Sequence, residues 1–345
     1  MFKPNFKITN KIINYIADIS AARELILNAS LLPQWEVKLR REAIVKMAHH
    51  STSIEGNPLT LEQVKKLLIG NKVAAWQKDK DEVLNYVGVL EYIDKIGDKK
   101  VKNITEEIIL KIHQINTKNI LPKDQSGFYR KIPVAVVNGY GKVVFQPPPV
   151  NKVSSLMKDF VLWLNSSQAR ELYPVILSGI SHYEFVRIHP FVDGNGRTAR
   201  ALSTLILYLK GFDTKRFFAL DDYYNEDRVR YYTALQTVEK KTLDTTQWLE
   251  YFCEGVAVSM NKVKDTVLQL SHDKRLKDKR GQVFLNEKQI RVLKYLQTNL
   301  KITTKECQNI FNVSERTARG YLSELVKKDL IKHVGPQKGR YYVLT

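Results

Sequence analysis

The stretch "IHPFVDGNGRTAR", residues 188–200, places one histidine, one acid, a Gly-Asn-Gly turn and two arginines within thirteen positions. Gly194, Asn195 and Gly196 permit backbone angles that other residues resist. They stand just before a helix expected over residues 197–209 and closed by Gly211. Such a turn aims several backbone N–H groups at one point, where the helix dipole adds about half a positive charge. The result is an anion cradle, and the natural anion is phosphate. Arg197 and Arg200, three residues apart on one side of the helix, suit a polyphosphate better than a single phosphate. Asp193, at the lip, would be repelled by phosphates unless a divalent cation bridged them, as Mg²⁺ does with one or two carboxylates. His189 ends the preceding helix and, with an ordinary pKa of about 6.5, can be neutral and accept a proton. Taken singly, these features read as a turn and a structural histidine. Together they make a site for attack on phosphorus, where positioning and charge neutralisation carry the rate.

The string "HPFVDGNGRTAR" resembles the signature of the Fic family, His-x-Phe-x-(Asp/Glu)-Gly-Asn-Gly-Arg-x-x-Arg, at every defined position. The resemblance implies a mainly α fold, a helical bundle with a β-hairpin flap. It also implies transfer of AMP from ATP, with Mg²⁺, to a Tyr, Ser or Thr hydroxyl of a target protein and of the enzyme itself. His189 would deprotonate the hydroxyl, which attacks the α-phosphorus and releases pyrophosphate. Asp193 would hold Mg²⁺, and Gly194, Asn195, Gly196, Arg197, Thr198, Ala199 and Arg200 would form the ATP-binding set, with Arg200 on the γ-phosphate. Phe191 reads as a core anchor for the loop. One branch of the family phosphorylates its targets and another transfers phosphocholine; the complete string here favours AMP. "NEDRVRYYTALQ", residues 225–236, resembles the family segment beside the adenine, with Tyr231 the better-placed ring of the Tyr231–Tyr232 pair.

"STSIEGN", residues 51–57, matches the family's inhibitory pattern (Ser/Thr)-x-x-x-Glu-(Gly/Asn) with Ser51, Glu55 and Gly56. The physical logic is that Arg200 cannot serve a γ-phosphate while a carboxylate occupies it. Such a bridge is worth roughly 1.5–3 kcal/mol if sheltered and under about 1 kcal/mol if exposed. The bland alternative is a glutamate ending a solvated helix. A further alternative is de-AMPylation, in which Glu55 aligns a water. His49 and His50 suggest a metal pair only superficially, because adjacent side chains on a helix are expected to diverge.

Outward from these motifs the chain reads mostly as helix. Apolar residues at helical spacing mark residues 35–53, and Thr60 with Gln63 has capping-box spacing opening a helix toward Leu68. Further helices are expected near residues 80–96, 105–116, 152–164 and 173–187. Between them, "GFYRKIPVAVVNGYGKVVFQPPP" reads as a hairpin over residues 132–145, stopped by Pro147, Pro148 and Pro149. In the Fic-like reading Val134, Ala135, Val136 and Val137 form the target-binding flap, an edge to which an extended segment can add.

The basic stretch "SHDKRLKDKRGQ" has the composition of a linker or an exposed helix end. Beyond it, three helical patterns and a strand–Gly-Pro–strand finish look like a winged helix-turn-helix. Residues 286–345 carry twelve Lys and Arg against five Asp and Glu, and Arg316, Arg319 and Ser323 fall on the outward side of the second-motif helix. DNA binding and protein docking both suit that segment. The expected organisation is therefore residues 1–100 as an N-terminal helical region with the inhibitory motif, 101–270 as the catalytic core, 271–284 as a linker and 285–345 as the winged helix.

At 345 residues the chain exceeds one ordinary core, and 43% hydrophobic residues exclude a disordered chain. A net charge of +19 favours acidic partners. Cys253 and Cys307 match no metal or redox spacing, the start lacks an apolar signal core, and no apolar run approaches about 20 residues. The expectation is a cytoplasmic protein without a membrane span, whose partner is a hydroxyl-bearing target protein. DNA and a second copy of the chain are further candidate partners. A rival reading is a DNA-binding regulator whose Fic-like body senses nucleotide.

Overall fold

Capping chemistry sets many of the helix starts. Thr9 and Thr105 accept N–H groups at the starts of α1 (Asn10–Asn28) and α5 (Glu106–Asn116), and Thr60 with Gln63 closes the capping box of α3 (Leu61–Leu68). Proline occupies the first turn of α2 (Pro33–Ile54) and of α8 (Pro174–Ile188). The computed structural model describes residues 2–29, 31–99, 101–137, 141–212, 214–278, 285–336 and 340–344. The remaining helices of its body are α4 (Gln77–Asp98), α6 (Val150–Leu164), α7 (Ser167–Glu171), α9 (Asn195–Leu209), α10 (Leu220–Glu226), α11 (Arg228–Gln236) and α12 (Thr246–Asp278).

α8 and α9 form the centre. α8 is buried on nearly every side, Val175, Ile180 and Phe185 included, so it reads as apolar all round rather than striped. α1 lies along α12, a pairing that the first residues of the chain do not announce. The hairpin is shorter than expected: β1 (Val136–Val137) pairs antiparallel with β2 (Val143–Phe145), Val136 opposite Phe145, while Val134 and Ala135 lie outside the ladder. The tip, residues 138–140, lies outside the described residues. The expected linker is helical as far as Asp278, as the end of α12; residues 279–284 fall outside the described residues.

The C-terminal segment buries a cluster of its own, with Leu296, Leu322, Leu325 and Val37 of α2 in it. Its elements are α13 (Glu287–Asn299), β3 (Ile302–Thr303), α14 (Thr304–Phe311), α15 (Glu315–Lys327), β4 (Ile331–Val334) and β5 (Tyr341–Leu344), with an antiparallel sheet ordered β3-β5-β4. It rests on α2 and α3: Arg41 donates to the Leu344 carbonyl (2.9 Å) and the Tyr341 hydroxyl to the Ile69 carbonyl (2.5 Å). Among the described residues no helix is long and apolar enough to cross a membrane.

Candidate active site

α8 stops where His189 turns left-handed (φ 51°). That residue's Nδ1 lies 3.3 Å from the Val186 carbonyl. A carbonyl oxygen only accepts, so Nδ1 carries the hydrogen and Nε2 keeps its lone pair. Burial is the largest influence on this imidazole and pulls its pKa below the ordinary value. It is therefore neutral at pH 7, as a general base must be.

Three groups lock the loop that follows. Asn195 both accepts the Phe191 N–H and donates to the Phe191 carbonyl, each at 2.9 Å. The Phe191 ring is fully buried and stacks on His113 at 3.6 Å between centroids, nearly parallel. His113 Nδ1 accepts the Gly127 N–H (2.9 Å), so its Nε2 carries the hydrogen and donates to the Asp193 carbonyl (3.0 Å). Burial lowers the His113 pKa to about 4, which keeps the ring neutral and this tautomer fixed. Arg130, also buried, donates its backbone N–H to the Pro190 carbonyl and its Nε to the His189 carbonyl, both at 2.8 Å. The same guanidinium reaches Pro148 (2.6 Å), tying the root of the hairpin to the loop. His113 and Arg130 lie 76 and 59 positions before His189 and belong to no local motif. The one trace in the sequence is that His113 follows Ile109 by four, on the helix face that Ile109 and Ile112 mark.

Gly194 takes φ 75°, and a Cβ there would press on Thr117 as well. α9 begins at Asn195, two residues before the expected start, so the N–H groups of Asn195, Gly196 and Arg197 form its unpaired first turn. Arg197 is buried, with Nη1 3.3 Å from Glu82 Oε1 and Nη2 3.6 Å from Asp193 Oδ2. Its Nε and the Nη1 of Arg200 are buried without hydrogen-bond partners among the described residues. These spare donors are what a phosphate would satisfy. Asp193 is 54% exposed, its Oδ1 accepting the Gly194 N–H at 2.6 Å. Among the described residues no three potential metal ligands cluster. One exposed carboxylate beside a phosphate cradle fits a cation that arrives on a triphosphate, not one caged by protein alone.

The end of α2 lies over this nest. Ser51 accepts from Arg200 twice, through Oγ (2.8 Å) and its carbonyl (2.7 Å), and Glu55 Oε1 accepts at 2.8 Å. A Cβ on Gly196 would run into that carboxylate, which therefore sits directly above the first turn of α9. Asp221, fully buried on α10, lies 3.2 Å from Arg200 Nε. Burial alone would lower the Arg200 pKa; Glu55 first, then Tyr231 and Asp221, outweigh it and hold the guanidinium above its ordinary value. Nearby, Asn57 donates to Glu82 (2.8 Å), linking the turn after α2 to the partner of Arg197.

Several expected placements need correction. Tyr231 offers no surface to an adenine: it is 1% exposed, its hydroxyl 2.9 Å from His182 Nε2, because α11 turns that ring into the Tyr224–Trp248 aromatic core. Tyr232 is the accessible ring, its hydroxyl donating to the Ile54 carbonyl (3.3 Å) beside Glu55. Thr198 and Ala199 are fully buried and face inward, so they shape α9 instead of lining a ligand. Asn195 offers ligand its backbone only, its side chain being spent on Phe191. The rings of His49 and His50 do not diverge but meet edge-on at 4.7 Å, with His50 3.1 Å from Asp222. Val134, Ala135, Val136 and Val137 lie in or beside the short hairpin, Val134 accepting from Gln146 (3.1 Å) and Val137 exposed.

Residues 103–207, which span the loop, His113 and most of α9, match the Fic/DOC family. Over that segment the chain resembles the Fic family. It is 31% identical over 223 residues to the protein adenylyltransferase Fic of Drosophila grimshawi, covering 61% of this chain and 44% of that protein. The Drosophila melanogaster protein of the same name is 30% identical over 223 residues, with the same shares covered. The chain thus spans less than half the length of the curated relatives it matches. A Fic family protein from Desulfovibrio desulfuricans superposes over 100% of this chain and 98% of its own, with a TM-score of 0.66 and 25% identity. Residues 134–508 of Fic-1 from C. elegans share the fold over 75% of this chain and 73% of that one, with a TM-score of 0.62 and 23% identity.

Proposed function

We propose that this chain transfers AMP from ATP to a Tyr, Ser or Thr hydroxyl of a target protein, and to itself, under restraint by Glu55. The observation that carries the reading is a half-buried, neutral His189 with a free Nε2, within electrostatic reach of Asp193 and of a nest holding unsatisfied arginine donors. In this reading Nε2 takes the proton of the incoming hydroxyl. The hydroxyl oxygen bonds to the α-phosphorus, the bond to the bridging oxygen toward the β-phosphate breaks, and pyrophosphate leaves. Arg197 and the first-turn N–H groups of α9 hold phosphate oxygens, and Arg200 takes the γ-phosphate once Glu55 withdraws. Asp193 would hold Mg²⁺, which supplies charge neutralisation of the triphosphate. Tyr232, not Tyr231, is the ring we assign to the side of the base. The hairpin edge at Val136 and Val137 would align the target segment.

The restraint has a size. Arg200 is 1% exposed and Glu55 32%, so the ion pair lies between sheltered and wet, worth about 1–2 kcal/mol, roughly 5–30-fold in population. Incubation of Glu55→Gly with α-labelled ATP, Mg²⁺ and cell lysate tests the reading. Labelled proteins are expected, and His189→Ala in the same background should lose at least about 100-fold in rate. No label from Glu55→Gly, with the protein folded, refutes it.

A second activity is favoured by α15, whose Arg316, Arg319 and Ser323 are all exposed beside a three-stranded sheet. We read residues 285–345 as a winged helix whose α15 meets nucleic acid phosphates. Filter binding to duplex DNA should weaken linearly in log affinity against log salt; salt-independent retention would exclude it. Buried, unpaired Cys253 and Cys307 support a reducing, cytoplasmic setting.

A further inference from the structure

A wide cleft lies apart from the nest. It lies where α2, α3 and the C-terminal segment meet, with a volume of about 620 Å³, the size of a small-molecule site. Its walls carry six cations, Lys38, Arg41, Lys46, Lys65, Lys66 and Lys332, against three carboxylates. Lys46 and Lys65 are answered, by Asp222 (3.6 Å) and Glu62 (2.6 Å). Lys38, Arg41, Lys66 and Lys332 have no carboxylate partner among the described residues. Arg41 is the telling one. It is half-buried, its hydrogen bond goes to a backbone carbonyl, and burial lowers its pKa, so a desolvated guanidinium stands without a counter-charge among the described residues. Leaving a cation so is costly unless an anion completes it. Leu61, Leu293 and Val343 add apolar wall to the same space.

We infer that this cleft binds a small oligophosphate anion, of the size and chemistry of a nucleoside di- or triphosphate. Lys38 and Arg41 reach it from one face of α2, Lys66 from α3 and Lys332 from β4. Its occupant bridges the C-terminal segment to the helix that ends at Glu55, fourteen residues or about 21 Å beyond Arg41. The inference does not rest on AMP transfer: the cleft and the nest share no lining residue.

Hydrogen exchange of the full chain, with tripolyphosphate or ADP as probe, tests it at low salt, where exposed charge is least screened. Slowed exchange is expected in peptides from residues 34–46 and 329–344, separately from any effect at 193–200. The Arg41→Ala/Lys332→Ala variant should lose the first protection by at least tenfold in midpoint and keep the second, while Arg41→Lys with Lys332 intact retains most of it. Folding of each variant is checked by its thermal melt. A lower midpoint for ADP than for tripolyphosphate identifies a nucleotide site; the reverse identifies a bare oligophosphate. Protection confined to 193–200, or unchanged in the double variant, overturns the inference. Loss at 193–200 alone would instead count against the catalytic reading.

Discussion

Two attachments meet at the N-terminus of α9, and they are built oppositely. The loop that carries His189 is held by Asn195, His113 and Arg130 through buried hydrogen bonds, with a stacked ring pair beneath. The end of α2 is held by one arginine, Arg200, which donates twice to Ser51 and once to Glu55, a carboxylate a third exposed. Hydrogen bonds in a dry interior cost much when any one is removed, whereas a partly wet ion pair opens for little. Solvent exposure thus separates the two attachments. Asp221 adds to the second case: without Glu55, Arg200 would still have a buried carboxylate beside it.

The loop offers the largest effect. Asn195→Ala removes both bonds to Phe191 and leaves that backbone unsatisfied, costing about 2–4 kcal/mol of stability and roughly 100-fold in labelling rate. A melt and rate equal to the parent would show that the loop is held some other way. The brake comes next. Glu55→Gly should raise self-labelling roughly 5–30-fold, and an unchanged rate would mean that the contact is not inhibitory.

Acid should undo the buried side before the exposed one. His113 and His182 titrate in the folded protein at about 4 and about 3, both depressed by burial from 6.5. Between those values and 6.5 the unfolded chain binds more protons, so stability rises with pH there and falls on acidification, by up to about 1.4 kcal/mol per pH unit for each histidine. The Tm measured from pH 7 to 4 should therefore drop, and a His113→Gln variant should drop less steeply. His189 is depressed too, so the labelling rate should be flat above pH 6.5 and decline only below it. The smallest effect sharpens the comparison most. Asp221→Asn should tighten the brake and lower labelling a few-fold, but not in the Glu55→Gly background; additivity of the two changes would exclude the shared guanidinium.

Legibility followed the same division. His189, Asp193, the Gly-Asn-Gly turn, Arg197 and Arg200 were readable because one bend and one helix turn supply them all, so spacing alone implies proximity. Glu55 was readable through a second short string, and the Arg200–Glu55 contact at 2.8 Å joins the two. The errors were of direction. On α11 the pair Tyr231–Tyr232 offers two rings about 100° apart, and only the packing of α8, α10 and α12 decides which one is swallowed by the core. The short hairpin and the early start of α9 were boundary matters that local propensity does not settle.

By itself, then, the chain of residues determined the mainly helical class, the Gly-Asn-Gly turn with His189 beside it and the glutamate that answers Arg200, since each is written within a helix turn or a single bend. Tertiary structure alone decided that His113, Arg130, Glu82 and Asp221 serve that turn, that Tyr231 is core, and that the C-terminal segment leans on α2. Burial and charge pairing across dozens of residues depend on which surfaces meet, and no local pattern records that.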